Sequence, residues 1–179
     1  MLAVFTFGRM NPPTVGHEKL VNKLRTVARQ QGGQPFIYLS QSQDKKKNPL
    51  DYLTKIKFVQ KAFGKKLAPR SKAKTIIQVM QELEKKYSDV TLVVGSDRVQ
   101  SFTDLLNKYN GKDYTFDSIN VTSAGERDPD ADDVSGMSAS KMRELAKDGD
   151  EAEFAKGVPS LLSKQSKSLY DAVRKGMGL

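Results

Sequence analysis

The apolar positions of this chain alternate between runs and helical stripes. Residues 2–7 (Leu-Ala-Val-Phe-Thr-Phe) form an apolar run closed by Gly8 and the later Pro12 and Pro13, which predicts a buried strand. Residues 18–29 place Leu20, Val21, Leu24, Val27 and Ala28 on one helical face, and Gly32-Gly33 ends that helix. Phe36-Ile37-Tyr38-Leu39 predicts a second strand within residues 35–40. A polar, basic loop over 41–49 leads to a helix over 52–63, with Ile56, Val59 and Phe63 in register and Gly64 after it. Residues 74–87 read as a helix through Ile76, Ile77, Met80 and Leu83. Residues 90–94 are the strongest strand, followed at once by Gly95-Ser96-Asp97. A short helix over 98–107, a strand over 115–121, a polar acidic loop over 123–135 and a helix over 138–147 follow. The chain then reads as helical from 151, with a break at Gly157-Val158-Pro159. Strands alternating with helices predict βαβ units: an α/β fold with a parallel sheet and helices on both faces. No repeat or linker divides the 179 residues, so a single domain is expected, with a helical C-terminal part from about 138.

Composition narrows the chemistry. Net charge is +9 with a pI near 9.6, which favours anionic partners such as nucleotides, phosphorylated metabolites or nucleic acid. The lysines are dispersed, and dispersed lysine also suits a solvated surface. There is no cysteine, which excludes disulfides, thiolate catalysis and cysteine zinc sites. The one histidine, His17, excludes a histidine-rich metal site within one chain. No GxSxG elbow accompanies it. No segment approaches the apolar length of a membrane span, and the N-terminus lacks a basic leader, so a cytoplasmic protein is expected. The run Glu126-Arg127-Asp128-Pro129-Asp130-Ala131-Asp132-Asp133 lacks the glycine and terminal glutamate of a calcium loop and reads as a solvated loop or lid; no metal ligands are assigned.

His17 closes the run Gly8-Arg9-Met10-Asn11-Pro12-Pro13-Thr14-Val15-Gly16-His17, set between the first strand and the first helix. A Gly/Pro turn entering a helix start suits phosphate, because first-turn N–H groups and the helix dipole face the turn. Gly8 lets the backbone approach a ligand, Thr14 offers a hydroxyl, Gly16 leaves room beside the helix, and His17 can donate to a phosphate oxygen. The plainer alternative is a structural loop whose histidine caps a helix.

Thr14-Val15-Gly16-His17 resembles the (H/T)xGH signature of the nucleotidyltransferase superfamily, in the TxGH form of phosphopantetheine adenylyltransferases. Gly8-Arg9-Met10-Asn11-Pro12 is similar to the GRFQP opening of nicotinamide-mononucleotide adenylyltransferases, and the whole run to that of phage-encoded members; such a chain would work in the host cytoplasm. Met137-Ser138-Ala139-Ser140-Lys141-Met142-Arg143 resembles the family's ISSTxIR element: Ser138 matches its first serine, Ser140 its threonine and Arg143 its arginine. Ala139 stands where the family has a serine. Gly95-Ser96-Asp97 resembles the GxD element of the mononucleotide adenylyltransferases; Asp97 would hold a ribose or cap the next helix. Lys46-Lys47-Asn48-Pro49-Leu50 looks like the family's KxPL or NPF segment, with Lys47 or Lys46 reaching substrate.

The resemblance, from Leu2 to at least Arg143, implies a Rossmann-like nucleotidyltransferase fold with a parallel sheet of about five strands. It implies that a nucleoside triphosphate, most simply ATP with Mg²⁺, and a phosphorylated small-molecule acceptor give a nucleotide-linked product and pyrophosphate. His17, Thr14 and Arg143 are then the catalytic candidates; Gly8, Arg9, Met10, Asn11, Gly16, Ser138, Ser140, Lys47, Gly95 and Asp97 are candidates for nucleotide binding. The motif details favour nicotinamide mononucleotide as acceptor, with phosphopantetheine adenylylation and cytidylyl transfer as alternatives. A non-catalytic nucleotide- or nucleic-acid-binding protein reusing the fold is the alternative of another class; it predicts salt-sensitive nucleic-acid binding without acceptor-dependent pyrophosphate release. A homo-oligomer is compatible with the chain.

Overall fold

The structure is a computed structural model and describes residues 1–125 and 137–179. The acidic run 126–133 therefore lies outside the described residues. The chain divides into two compact units.

The first unit comprises residues 1–8, 20–38 and 69–127. Its frame is a four-stranded sheet of β1 (Leu2–Gly8), β2 (Gln34–Leu39), β3 (Asp89–Val94) and β4 (Ser118–Ser123), in the order β2-β1-β3-β4. β3 runs parallel to both β1 and β4, in registers that begin Leu2 with Asp89 and Asp89 with Ser118. Four strands form where the resemblance implied about five. Helices flank the sheet as its side-chain alternation requires. Ala3, Phe5, Val90, Leu92 and Val94 share one core with Val79, Met80 and Leu83 of α3 (Ile76–Leu83) and Leu106 of α4 (Val99–Lys108). On the opposite face Thr91 Oγ1 donates to Gln31 Oε1 of α1 (Val15–Gln31) at 2.8 Å. Thr6, also buried, donates to the Val93 carbonyl at 2.9 Å, so neither strand hydroxyl is left unpaired.

Two expected elements moved, each for a local reason. The helix predicted over 74–87 begins at Ile76 because the Thr75 side chain accepts from the Gln78 N–H and caps it there. The strand predicted over 115–121 begins at Ser118. Asn110 holds both the N–H and the carbonyl of Phe116, while the Thr115 N–H donates to Glu84, which fixes that stretch as a loop with Phe116 buried.

The second unit comprises residues 9–19, 39–68 and 128–179. It holds the first turn of α1, then α2 (Tyr52–Phe63), α5 (Ala139–Asp148), α6 (Glu151–Lys156) and α7 (Ser166–Gly176). The α2 bounds are those predicted: Asp51 caps its start through the Thr54 N–H, and Gly64 ends it. α5 ends at Gly149, whose left-handed φ of 78° lets its N–H return to the last turn. The break at 157–159 separates α6 from a 3-10 turn over 160–165. Phe154 and Tyr170 meet edge to face, and Arg174 lies over the Tyr170 ring while donating to the Ala146 carbonyl. That Arg174 bond at 2.6 Å ties α7 to the last turn of α5.

Candidate active site

The segment leaving β1 is built as a scaffold. Met10 is buried in a left-handed conformation (φ 41°), uncommon for a residue with a side chain. Asn11 is wholly buried: its Nδ2 donates to the Leu50 carbonyl at 3.0 Å and its Oδ1 accepts from the Leu50 N–H at 2.9 Å. Both side chains, expected near the nucleotide, thus face protein. The Asn11 amide fastens the turn to the segment after the lysine loop.

Thr14 is the centre of a second set of bonds. Its hydroxyl donates to the Met137 carbonyl at 3.0 Å, and the same oxygen accepts from the N–H groups of Gly16 (3.1 Å) and His17 (3.4 Å). A Cβ on Gly16 would lie 2.9 Å from that Met137 carbonyl, so the first helical turn comes this close only because residue 16 has no side chain. The Val15 N–H donates to the Gly157 carbonyl at 2.9 Å. The N–H groups of residues 15–17 are thus bonded within the protein rather than open toward an anion. What the start of α1 offers a ligand is its dipole and the imidazole. The Thr14 N–H donates to His17 Nδ1 at 3.0 Å. In the neutral ring this assigns the proton to Nε2, making Nε2 the donor.

Met137 leads directly into α5, whose cap is Ser138: its Oγ accepts from the Lys141 N–H at 3.1 Å. One turn on, Arg143 donates through Nη1 to the Asn11 carbonyl at 2.9 Å. A guanidinium carries five donors in a fork, and this bond engages one. Burial, then the neighbouring Arg9 charge, pulls the Arg143 pKa below its ordinary value, against an opposing pull from Asp44. Ser140 is exposed on the same first turn.

The basic loop is a tight turn organised by Asp44. Its Oδ1 accepts from the N–H groups of Lys46 (3.0 Å), Lys47 (2.7 Å) and Asn48 (3.4 Å), and its Oδ2 from Asn48 Nδ2 (2.8 Å). These bonds, the Lys47 N–H foremost, hold the carboxyl at about 2. The turn presents Lys46 and Lys47 as exposed side chains, whereas Lys45 runs alongside Gly178.

Within the second unit the fold therefore gathers Arg9, Met10, Asn11, Thr14, Gly16, His17, Lys47, Ser138, Ser140 and Arg143. Gly8, Gly95 and Asp97 belong to the first unit. There Gly95 follows β3 directly, and its missing Cβ leaves space for the Asp97 carboxylate, which would lie 2.9 Å from it. Asp97 is exposed and does not cap α4, whose start has no side-chain cap.

Sequence reasoning passed over Lys55 and Asp44. Lys55 is wholly buried, and its Nζ donates to the Ser40 carbonyl at 2.7 Å. Burial, and then Arg9, pulls its pKa down to about 8. The spacing Lys55-Val59-Ala62 already places it on the buried stripe of α2. Asp44 is legible as the first residue of a five-residue turn ending in Asn48.

A search of curated proteins finds no match to this chain. A family model, described as cytidylyltransferase-like, matches residues 5–145, which span β1, the Gly8–His17 run and the first turns of α5 through Arg143. The chain belongs to this cytidylyltransferase-like family, and with it to the nucleotidyltransferase superfamily.

Proposed function

We propose that the protein transfers AMP from ATP to nicotinamide mononucleotide, releasing pyrophosphate. Family membership supports nucleotidyl transfer; the Gly8-Arg9-Met10-Asn11-Pro12, Asn48-Pro49-Leu50 and Gly95-Ser96-Asp97 motifs support this acceptor. The observation that carries the reading is the bonding of the two motifs to each other: Thr14 to the Met137 carbonyl and Arg143 to the Asn11 carbonyl. Residues 123 and 132 positions apart are thereby fixed in one scaffold that presents an imidazole and a guanidinium.

In the proposed reaction an acceptor phosphate oxygen attacks the α-phosphorus in line. The new P–O bond joins acceptor and AMP, and the bond to the β-phosphate bridging oxygen breaks, so pyrophosphate leaves with that electron pair. His17 Nε2–H donates to an α-phosphate oxygen as charge grows there. Arg143, Arg9 and Lys47 balance the β- and γ-phosphates, with Ser138 and Ser140 at the start of α5. Among the described residues no group of three carboxylate, histidine or cysteine side chains gathers that would cage a metal. In this reading Mg²⁺ enters with the triphosphate as substrate.

The test is pyrophosphate release with ATP or CTP against nicotinamide mononucleotide, phosphopantetheine and no acceptor. The reading expects release with ATP and nicotinamide mononucleotide together. Release with a different pair would reassign the acceptor or base. Salt-sensitive nucleic-acid binding with no release from any pair would instead mark a binding protein.

A further inference from the structure

Lys55 is the one lysine of the chain with no exposed surface, and among the described residues it has no carboxylate partner. Its Nζ donates to a neutral carbonyl, that of Ser40, at the point where β2 gives way to the lysine loop. The Ser40 hydroxyl on the same residue is buried without a partner. Burying an ammonium without a counter-charge opposes folding, and an apolar side chain of similar length would fill α2 at lower cost. Among the described residues the charge that acts on Lys55 is another cation, Arg9, which also acts on Arg143. Neither Arg9 nor Arg143 has a carboxylate ion pair among the described residues. Among the described residues the acid acting on Arg143 is Asp44, which is already committed to three backbone N–H groups and an amide. The second unit thus concentrates three cations that have no carboxylate ion pair among the described residues.

We propose that Lys55 is a positioning residue for the polyphosphate: a buried ammonium that holds the Ser40 carbonyl at the root of the lysine loop and supplies, with Arg9 and Arg143, a positive charge that a bound polyanion offsets. It is not a catalytic residue, since with no exposed surface it touches no substrate. It acts through the Ser40 backbone and through its field. This deepens the reading of the site as a nucleotidyl-transfer centre and rests on it for the identity of the polyanion.

Inorganic pyrophosphate, the product common to every base and acceptor, is the probe. Binding to the full chain is measured by calorimetry for wild type, Lys55→Arg, Lys55→Gln and Lys55→Met, with thermal melting of each without ligand. Arginine keeps the charge, glutamine keeps a donor without the charge, and methionine keeps neither. Lys55→Arg is expected to bind within about threefold of wild type. Lys55→Gln and Lys55→Met are expected to bind about tenfold more weakly, the order expected of one unit charge acting through a partly screened interior. Methionine should melt at or above the wild-type temperature. Wild-type affinity in the glutamine variant would overturn the proposal, and that variant decides the matter if the methionine protein does not fold. Equal weakness of folded arginine and methionine variants would also overturn it, as would a wild-type chain that does not bind pyrophosphate. Failure of the transfer reading would appear separately, as wild-type pyrophosphate binding without turnover of any acceptor.

Discussion

Thr14 has one hydroxyl and three neighbours that use it, and its place in the motif follows from that arithmetic. The oxygen caps the first turn of α1, the hydrogen goes to Met137, and the Thr14 N–H fixes the His17 tautomer. A serine can make all of these bonds; a valine can make only the last. Thr14→Val is therefore expected to lose about 2 kcal/mol of stability in chemical denaturation, from a lost cap and an unpaired buried carbonyl, while Thr14→Ser stays near wild type. Asn11 is a parallel case. Asn11→Ala leaves the Leu50 N–H and carbonyl buried without partners, and a loss of about 2–4 kcal/mol is expected. The motif's position and its histidine were legible in the sequence. The division of labour within it was not, because it depends on Met137 and Leu50, carbonyl and amide groups that no side-chain pattern announces. Lys55 was hidden differently: its spacing puts it on the buried stripe of α2, but its charge argues for the surface.

At the scale of elements, helix ends and close approaches decide what the second unit can hold. α7 passes so near the Pro49 backbone that a Cβ on Gly176 would overlap the Pro49 carbonyl. The Gly176→Ala variant is expected to lose stability by about 2 kcal/mol or more, since the obstacle is backbone and cannot rotate aside. Its melting temperature is the check, and an unchanged value would mean that α7 docks elsewhere. Strands and amphipathic helices were readable from period alone, and α2 came out with its observed bounds. The later strand was misplaced toward its N-terminus because Thr115 and Phe116 have strand-like character but are held in a loop by Glu84 and Asn110. The fifth strand was an inference from family resemblance rather than from any apolar run.

For the whole molecule, the buried cation Lys55 carries a cost to stability that depends on pH. The folded Lys55 pKa, about 8, lies below the ordinary 10.5, so the unfolded chain binds the extra proton between those values. Below about pH 8 both states are charged at this position and the burial penalty is full. Between pH 8 and 10.5 the folded lysine sheds its proton first, and stability rises with pH; above that window the penalty is gone. Denaturation of wild type relative to Lys55→Met should therefore show wild type gaining on the variant across this window. A flat difference would mean that Lys55 titrates normally. The central claim, that this scaffold carries out nucleotidyl transfer at His17 and Arg143, is tested most directly with ATP labelled at the α-phosphorus. The account predicts that the label moves to nicotinamide mononucleotide in a dinucleotide while unlabelled pyrophosphate is released, and that His17→Ala slows this by about 10²–10³-fold without unfolding the chain. Label transfer at the wild-type rate in a folded His17→Ala protein would contradict it.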